Sequence, residues 1–262
     1  MKKTFPTTAL TAPLLAAILA AGAASAATSI TINTDSTWGG DGGEYNVTSF
    51  NLEPGKNNYV DGIVILQSGR FNVTGAVWLK TTDITVGNGA YLDFKTQNVN
   101  CPSPSTKNIF TIQAGGTMAT SKAVAGRPGT FNIQVGGTFV QNGTFAFEAA
   151  GNSLDLYGTM TASNGVTVTK YDLAFTQHSG STLVLGGAMS TSATQSQKTF
   201  SYVVEGGTIQ ALVGAVINTT TSTIADNAAL TVDVEQFASF DLSNVTTFGS
   251  GVSVTKTGVG TL

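Results

Sequence analysis

Residues 130–160 decide the fold, and they read TFNIQVGGTFVQNGTFAFEAAGNSLDLYGTM. Two alternating runs, Phe131-Asn132-Ile133 and Leu154-Asp155-Leu156, are each followed by Gly-Thr and a large apolar residue. Alternation of apolar and polar residues is typical of a strand with one buried face. Glycine adopts a positive φ easily, so the chain can turn sharply after each run. The stretch therefore predicts short strands separated by tight corners.

The same pattern recurs along the chain at intervals of 20–27 residues, with corner glycines at Gly69, Gly89, Gly116, Gly137, Gly158, Gly180 and Gly207. A further step of 22 reaches Ala229, just after Asp226-Asn227, which can turn the chain in place of a glycine. A unit of this size is too small to bury its own apolar face, so it must stack on its neighbours. We predict an all-β fold, a right-handed parallel β-helix with rungs of about 20–27 residues.

In such a solenoid, Ile112, Ile133 and Leu156 stack along the interior and their polar neighbours face water. Two further triplets, Gly129-Thr130-Phe131 and Gly143-Thr144-Phe145, fall between the corners. They are either second corners of the same turns or a sign that the period is accidental. Regular short strands also occur in antiparallel β-sandwiches, which remain the alternative.

Composition excludes several classes of protein. The chain has 262 residues with 31 glycines and 41 threonines, and only 10% of its residues are charged. Residues that favour helices are sparse after residue 26, which argues against a helical bundle or a doubly wound α/β enzyme. The net charge is −3 and no basic run occurs, so the electrostatic footprint of nucleic-acid binding is absent.

The N-terminus has the three parts of a secretory signal peptide. Lys2 and Lys3 precede an apolar stretch, which ends in the small-residue cleavage site Ala24-Ser25-Ala26. We predict that residues 1–26 are a signal peptide and that the protein is exported. Cys101 is the only cysteine, so an internal disulfide is excluded. Its Pro- and Ser-rich surroundings predict a loop or a partly buried thiol.

The C-terminal residues 252–262 read VSVTKTGVGTL. They resemble the opening of the autotransporter-associated β-strand repeat, which typically reads L-x-K-x-G-x-G-T-L. The matching positions are Val254 in place of leucine, Lys256, Gly258, Gly260, Thr261 and Leu262. The segment Trp38–Gly43 also looks, more weakly, like the Trp-Gly-rich openings of such proteins. The resemblance implies a secreted β-helical passenger or surface protein of a Gram-negative-type bacterium.

These observations divide the chain into four parts. They are a signal peptide at 1–26, an N-terminal cap at 27–62, β-helix rungs at 63–251 and the start of a truncated autotransporter-type repeat at 252–262. The repeat should continue beyond Leu262, so the resemblance predicts an incomplete reading frame or a trimmed chain.

Few residues suggest chemistry. Asp233 and Glu235 would point to one face of a strand, but no third group joins them, so we interpret them as a solvated face. His178 has no Ser-His-Asp or Cys-His arrangement by spacing and is predicted at a surface corner. Gly39–Gly43 resembles half of a calcium nonapeptide, but such sites need tandem copies. We predict no catalytic, cofactor-binding or metal-binding residues.

The sequence therefore predicts a non-enzymatic solenoid, secreted or located at the outer-membrane surface, with a structural, adhesin or autotransporter-passenger role. Its expected partners are surface glycans or host and cell-surface macromolecules. Membrane contact is expected only through the signal peptide or a missing C-terminal anchor or translocator. The alternative is a polysaccharide-binding or polysaccharide-degrading β-helix, with acidic residues and Trp78 or Tyr91 facing a groove.

Overall fold

The computed structural model describes residues 36–38, 44–47, 59–73, 77–95, 99–101, 108–126, 129–147, 150–169, 171–192 and 199–262. Within these ranges the regular elements are all strands. In chain order they are β1 (Ser36–Trp38), β2 (Glu44–Val47), β3 (Tyr59–Leu66), β4 (Gly69–Val73), β5 (Val77–Val86), β6 (Ala90–Phe94), β7 (Val99–Cys101), β8 (Asn108–Ile112), β9 (Thr117–Thr120), β10 (Val124–Gly126), β11 (Gly129–Ile133), β12 (Thr138–Gln141), β13 (Phe145–Phe147), β14 (Asn152–Leu156), β15 (Thr159–Ala162), β16 (Val166–Val168), β17 (Leu173–Gln177), β18 (Thr182–Leu185), β19 (Ala188–Thr191), β20 (Phe200–Ala211), β21 (Val216–Asn218), β22 (Thr221–Val234), β23 (Thr247–Phe248) and β24 (Ser253–Gly258).

Every strand pairs in parallel with the equivalent strand one turn away, and the pairs form three ladders, which we call faces. The first face contains β1, β3, β5, β8, β11, β14, β17, β20, β22 and β23. The second contains β2, β4, β6, β9, β12, β15, β18, β20, β22 and β24. The third contains the first residues of β3 and β5 together with β7, β10, β13, β16, β19 and β21.

The architecture is consistent with a right-handed parallel β-helix, and the predicted fold class is confirmed. The alternative of an antiparallel sandwich is wrong, because all the pairings above are parallel. At about 4.8 Å per strand, the second face is roughly 40 Å long from β2 to β24. β20 and β22 each bend from the first face to the second without a break in the strand.

The core is a set of apolar columns that run along the inside of the three faces. Ile112, Ile133 and Leu156 are fully buried, as the alternation predicts. One turn further on, the same column holds Gln177, a buried polar residue that the pattern does not predict. Aromatic rings also stack in register, with the centroids of Phe110 and Phe131 4.7 Å apart and their planes nearly parallel.

The corner glycines serve two different purposes. Gly180 and Gly207 have φ values of 81° and 95°, as the sequence predicts. Gly137 has no positive φ. A Cβ atom there would lie 2.4 Å from the carbonyl oxygen of Ile112 in the preceding turn. The expectation that every corner glycine supplies a positive φ is therefore wrong for Gly137, where close approach between turns requires the glycine.

The two additional Gly-Thr-Phe triplets lie at other corners of the same turns. Gly129 begins β11 on the first face, and Gly143 precedes β13 on the third face. The corner predicted at Asp226-Asn227 is also present, with Asn227 at a φ of 58° between the two halves of β22. The interpretation that the period is accidental is therefore wrong.

Both ends of the described chain contribute to the ladders. β1 and β2, inside the predicted cap at 27–62, pair with β3 and β4. β24, inside the predicted repeat at 252–262, pairs with β22. The predicted signal peptide at 1–26 and the segment 39–43 lie outside the described residues. No helix in the described part of the chain is long and apolar enough to cross a membrane.

Candidate functional site

A cluster of titratable side chains lies on the outer surface where the first face turns into the second. Its members come from three consecutive turns. Asp155 is on β14, His178 directly follows β17, and Glu205 is within β20. His178 Nδ1 lies 2.7 Å from Glu205 Oε2, and Nε2 lies 3.3 Å from Asp155 Oδ1. The histidine therefore bridges a carboxylate on the turn before it and one on the turn after it.

Both ring nitrogens of His178 lie within hydrogen-bond distance of a carboxylate oxygen. An ionised carboxylate only accepts hydrogen bonds, so the ring donates to both carboxylates when it carries two N–H groups and to one when it carries a single N–H. The His178 side chain is 16% exposed, whereas the carboxylates of Asp155 and Glu205 are 35% and 48% exposed, so water reaches the carboxylates more than the ring.

Neighbouring side chains hold the ring and its corner in place. The Tyr157 ring stacks on His178 with a centroid distance of 3.8 Å and an interplanar angle of 2°. Ser181 Oγ donates to the carbonyl oxygen of His178 at 2.6 Å, and Ser179 Oγ donates to the carbonyl oxygen of Glu205 at 3.0 Å. The histidine is thus held by a stacked ring on one face, by a carboxylate near each ring nitrogen and through its own carbonyl group.

Asp155, His178 and Glu205 link three consecutive turns, and we call this group the clamp. Each ring nitrogen of His178 already has a carboxylate partner, so neither is free to take a proton from a substrate. The two carboxylates lie at opposite edges of the imidazole ring, whereas the ligands of a metal ion converge on one point. Consistently, the described residues include no group of three or more His, Cys, Asp or Glu side chains arranged to hold a metal ion.

The clamp was not predicted, although the sequence contains a signal for it. His178 and Glu205 each lie two residues before a corner glycine, Gly180 and Gly207, and Asp155 lies three before Gly158. Residues at matching distances from successive corners become neighbours once the turns stack. The prediction that His178 lies at a corner was correct, but its partners lie 23 and 27 residues away.

A second charged cluster lies on the second face near its N-terminal end. Arg70 Nη2 donates to Asp93 Oδ2 at 3.1 Å, and Arg70 Nε donates to Asn72 Oδ1 at 3.1 Å. The guanidinium carbon lies 4.2 Å from the centroid of the Tyr91 ring, a cation–π contact. Tyr91, which the alternative function places facing a groove, therefore has an arginine against one of its faces.

The acidic pair of the sequence analysis is arranged differently from the prediction. Asp233 lies near the end of β22, points outward and accepts a hydrogen bond from Thr257 Oγ1 at 3.1 Å. Glu235 is exposed and follows Val234, which is the last residue of β22. The expectation that both carboxylates share one strand is therefore wrong, because the strand stops between them.

The other predicted residues take ordinary places in the ladders. Trp78 is part of β5, where its backbone pairs with Tyr59 and Asn100. Cys101 is the last residue of β7 and pairs with Gly126. The prediction that Cys101 lies in a loop is wrong, because the strand extends as far as this residue.

No protein-family model matches the chain, and no curated protein or solved structure was found to be similar to it. The resemblance of residues 252–262 to the autotransporter-associated repeat therefore stays a prediction.

Proposed function

We propose that the protein is an exported β-solenoid that serves as a stalk, passenger or adhesin at a bacterial surface. The observation that carries the proposal is the unbroken stack of parallel ladders from β1 and β2 to β23 and β24. Each turn of a solenoid contacts only its neighbours, so the features available for function are the length of the stack and its lateral surface. The signal-like sequence at 1–26 and the resemblance at 252–262 support the same proposal.

The outer surface also supports a role in contact. The outward columns of β9, β12 and β15 consist of short uncharged polar and aliphatic residues. A surface of this kind presents many hydroxyl groups over a long, repetitive area. Such a surface can contact another extended surface without a deep pocket.

The location is tested on intact cells of the source bacterium. Cells are treated with a protease that does not enter them, and the chain is followed with an antibody to the β8–β22 region. We expect the antibody signal to fall while a cytoplasmic marker stays intact. A chain protected from protease until the cells are lysed would contradict the proposed surface location.

The alternative function, binding or degradation of a polysaccharide, is tested on the purified chain with a glycan array and a reducing-sugar assay. The contact of Arg70 with Tyr91 weighs against it, because a sugar stacking on that side would have to displace the guanidinium. Sugar release that Asp233→Ala abolishes would establish the alternative. Glycan binding without release would instead support an adhesin.

A further inference from the structure

One outward column of the second face consists entirely of threonine over seven successive turns. Its members, each directly in register with the next, are Thr117, Thr138, Thr159, Thr182, Thr208, Thr231 and Thr255. Beside the first five of these threonines, the neighbouring column holds Ala119, Val140, Thr161, Val184 and Gln210, of which Ala119 is buried. We call the five threonines from Thr117 to Thr208 and these five neighbours the threonine face.

The threonine face presents hydroxyl groups that have no side-chain partner among the described residues. None of the six threonines makes a side-chain hydrogen bond to another described residue, and the pairing of β9, β12, β15, β18 and β20 across these positions has no register shift. The hydroxyls therefore form a regular row spaced by about 4.8 Å along the stack. Each one can donate one hydrogen bond and accept two.

The threonine face carries no charged side chain. The nearest charged residues in its second column are Asp93, one turn before Ala119, and Asp233, one turn after Gln210. Charged groups hold water in shells of their own geometry, whereas methyl groups restrict the orientation of the water beside them. Each threonine of the face places such a methyl group beside a hydroxyl group that can bind the ordered water.

We propose that the threonine face binds ice. Ice is an uncharged lattice whose oxygen atoms repeat at a spacing close to that between neighbouring strands. Its surface both donates and accepts hydrogen bonds, as the row of hydroxyls does. The ten residues contribute no aromatic ring and only one long polar side chain, Gln210. Sugar-binding surfaces use both kinds of group, so the lattice of water fits this face better than a polysaccharide does.

The proposal is tested by growing ice slowly in a solution of the fluorescently labelled, purified chain, with serum albumin in the same vessel. We expect the chain to enter the ice while albumin stays in the liquid. Exclusion of the chain from ice together with albumin would overturn the proposal. The measurement uses purified protein, so its result does not depend on where the protein is located in the cell.

Thr159→Tyr places a bulky ring at the centre of the face, and we expect incorporation into ice to be lost. Thr111→Tyr, an outward position on the first face, is the matched control and should enter ice like the unmodified chain. Circular dichroism confirms that each variant is folded. If Thr159→Tyr does not fold, Thr159→Lys replaces it.

Incorporation of the folded position-159 variant at the unmodified level would overturn the assignment to this face. Retention on cellulose that this variant loses, together with exclusion from ice, would also overturn the proposal and assign the face to a polysaccharide.

Discussion

At Gly137, the chain passes directly against the carbonyl groups of the preceding turn. A Cβ atom there would lie 2.4 Å from the Ile112 oxygen and 3.0 Å from the Gln113 oxygen, and both are backbone atoms that cannot move alone. We expect Gly137→Ala to lower the free energy of unfolding by about 2–3 kcal/mol, within the range of strained core substitutions.

Gly180→Ala is the matched control for this substitution. Its φ is 81°, but a Cβ atom would meet nothing within 4 Å. Only the backbone conformation is then unfavourable, which costs about 1–2 kcal/mol. Urea unfolding of both variants makes the comparison. A larger loss for Gly180→Ala than for Gly137→Ala would contradict the close-approach explanation.

Tyr202 should make the folded protein less stable at alkaline pH. The side chain is buried, its hydroxyl donates to Gln177 Oε1, and Gln177 Nε2 donates to the Thr208 carbonyl oxygen at 2.9 Å. Burial raises the pKa of Tyr202 above its ordinary value. Above about pH 10 the unfolded state loses the proton first, so the free energy of unfolding should fall by about 1.4 kcal/mol per pH unit.

Urea unfolding at several pH values between about 8 and 11 measures this dependence. These limits lie roughly two units below and one unit above the ordinary tyrosine pKa. Tyr202→Phe should remove this slope. At neutral pH it should cost about 1–3 kcal/mol, because Gln177 Oε1 is left buried without its donor. An unchanged alkaline slope in Tyr202→Phe would show that another group causes it.

At the scale of the strand, the aromatic column couples neighbouring turns. The Phe131 ring on β11 stacks on Phe110 of β8 and lies 5.8 Å from both Phe139 and Phe145. Phe131→Ala removes contacts to three faces at once, so we expect a loss of about 3–5 kcal/mol. Thr138→Ala, an outward change on β12, should stay within about 0.5 kcal/mol. Thermal unfolding of both variants tests this, and equal losses would contradict it.

The clamp around His178 should couple β17 to β20 energetically. Because the Glu205 side chain is 48% exposed, water weakens the pair, and we expect a coupling energy of about 1 kcal/mol between His178→Ala and Glu205→Ala. A double-mutant cycle from urea unfolding measures it. His178→Ala combined with Asp93→Ala is the control and should show no coupling. Equal coupling in both cycles would indicate a global effect.

At the scale of the whole molecule, β24 carries a lysine at an inward register position, and its side chain is exposed at this end of the described stack. Lys256 is in register with Val232, in the column that also contains Ile209. Its Nζ donates to the Gly258 carbonyl oxygen at 2.8 Å. Inward-pointing charges on an edge strand discourage pairing with another chain.

Lys256→Leu should therefore increase self-association of the 262-residue chain through β24. Analytical ultracentrifugation over a range of concentrations measures the effect. Lys122→Leu, at another exposed position, is the control for a general gain in hydrophobicity. Equal association of the two variants would contradict a specific role for the β24 edge.

The residues that could be predicted are those whose structure depends on nearby sequence. Alternation in Leu154-Asp155-Leu156 determines which side chains are buried, and Asn227 can turn the chain by its own conformational preference. The role of Gly137 could not be predicted, because the carbonyl oxygen that it avoids belongs to Ile112 in another turn. The end of β22 before Glu235 was missed because boundaries depend on the neighbouring strand.

By itself, the sequence determined that the chain forms short strands joined by tight corners and that the units must stack, because alternation and corner residues act over a few neighbours. Only the tertiary structure decided which residues meet between turns, since turns of 20–27 residues align through packing and backbone hydrogen bonds. That alignment brings Asp155 and Glu205 to His178, and it places seven threonines in one column.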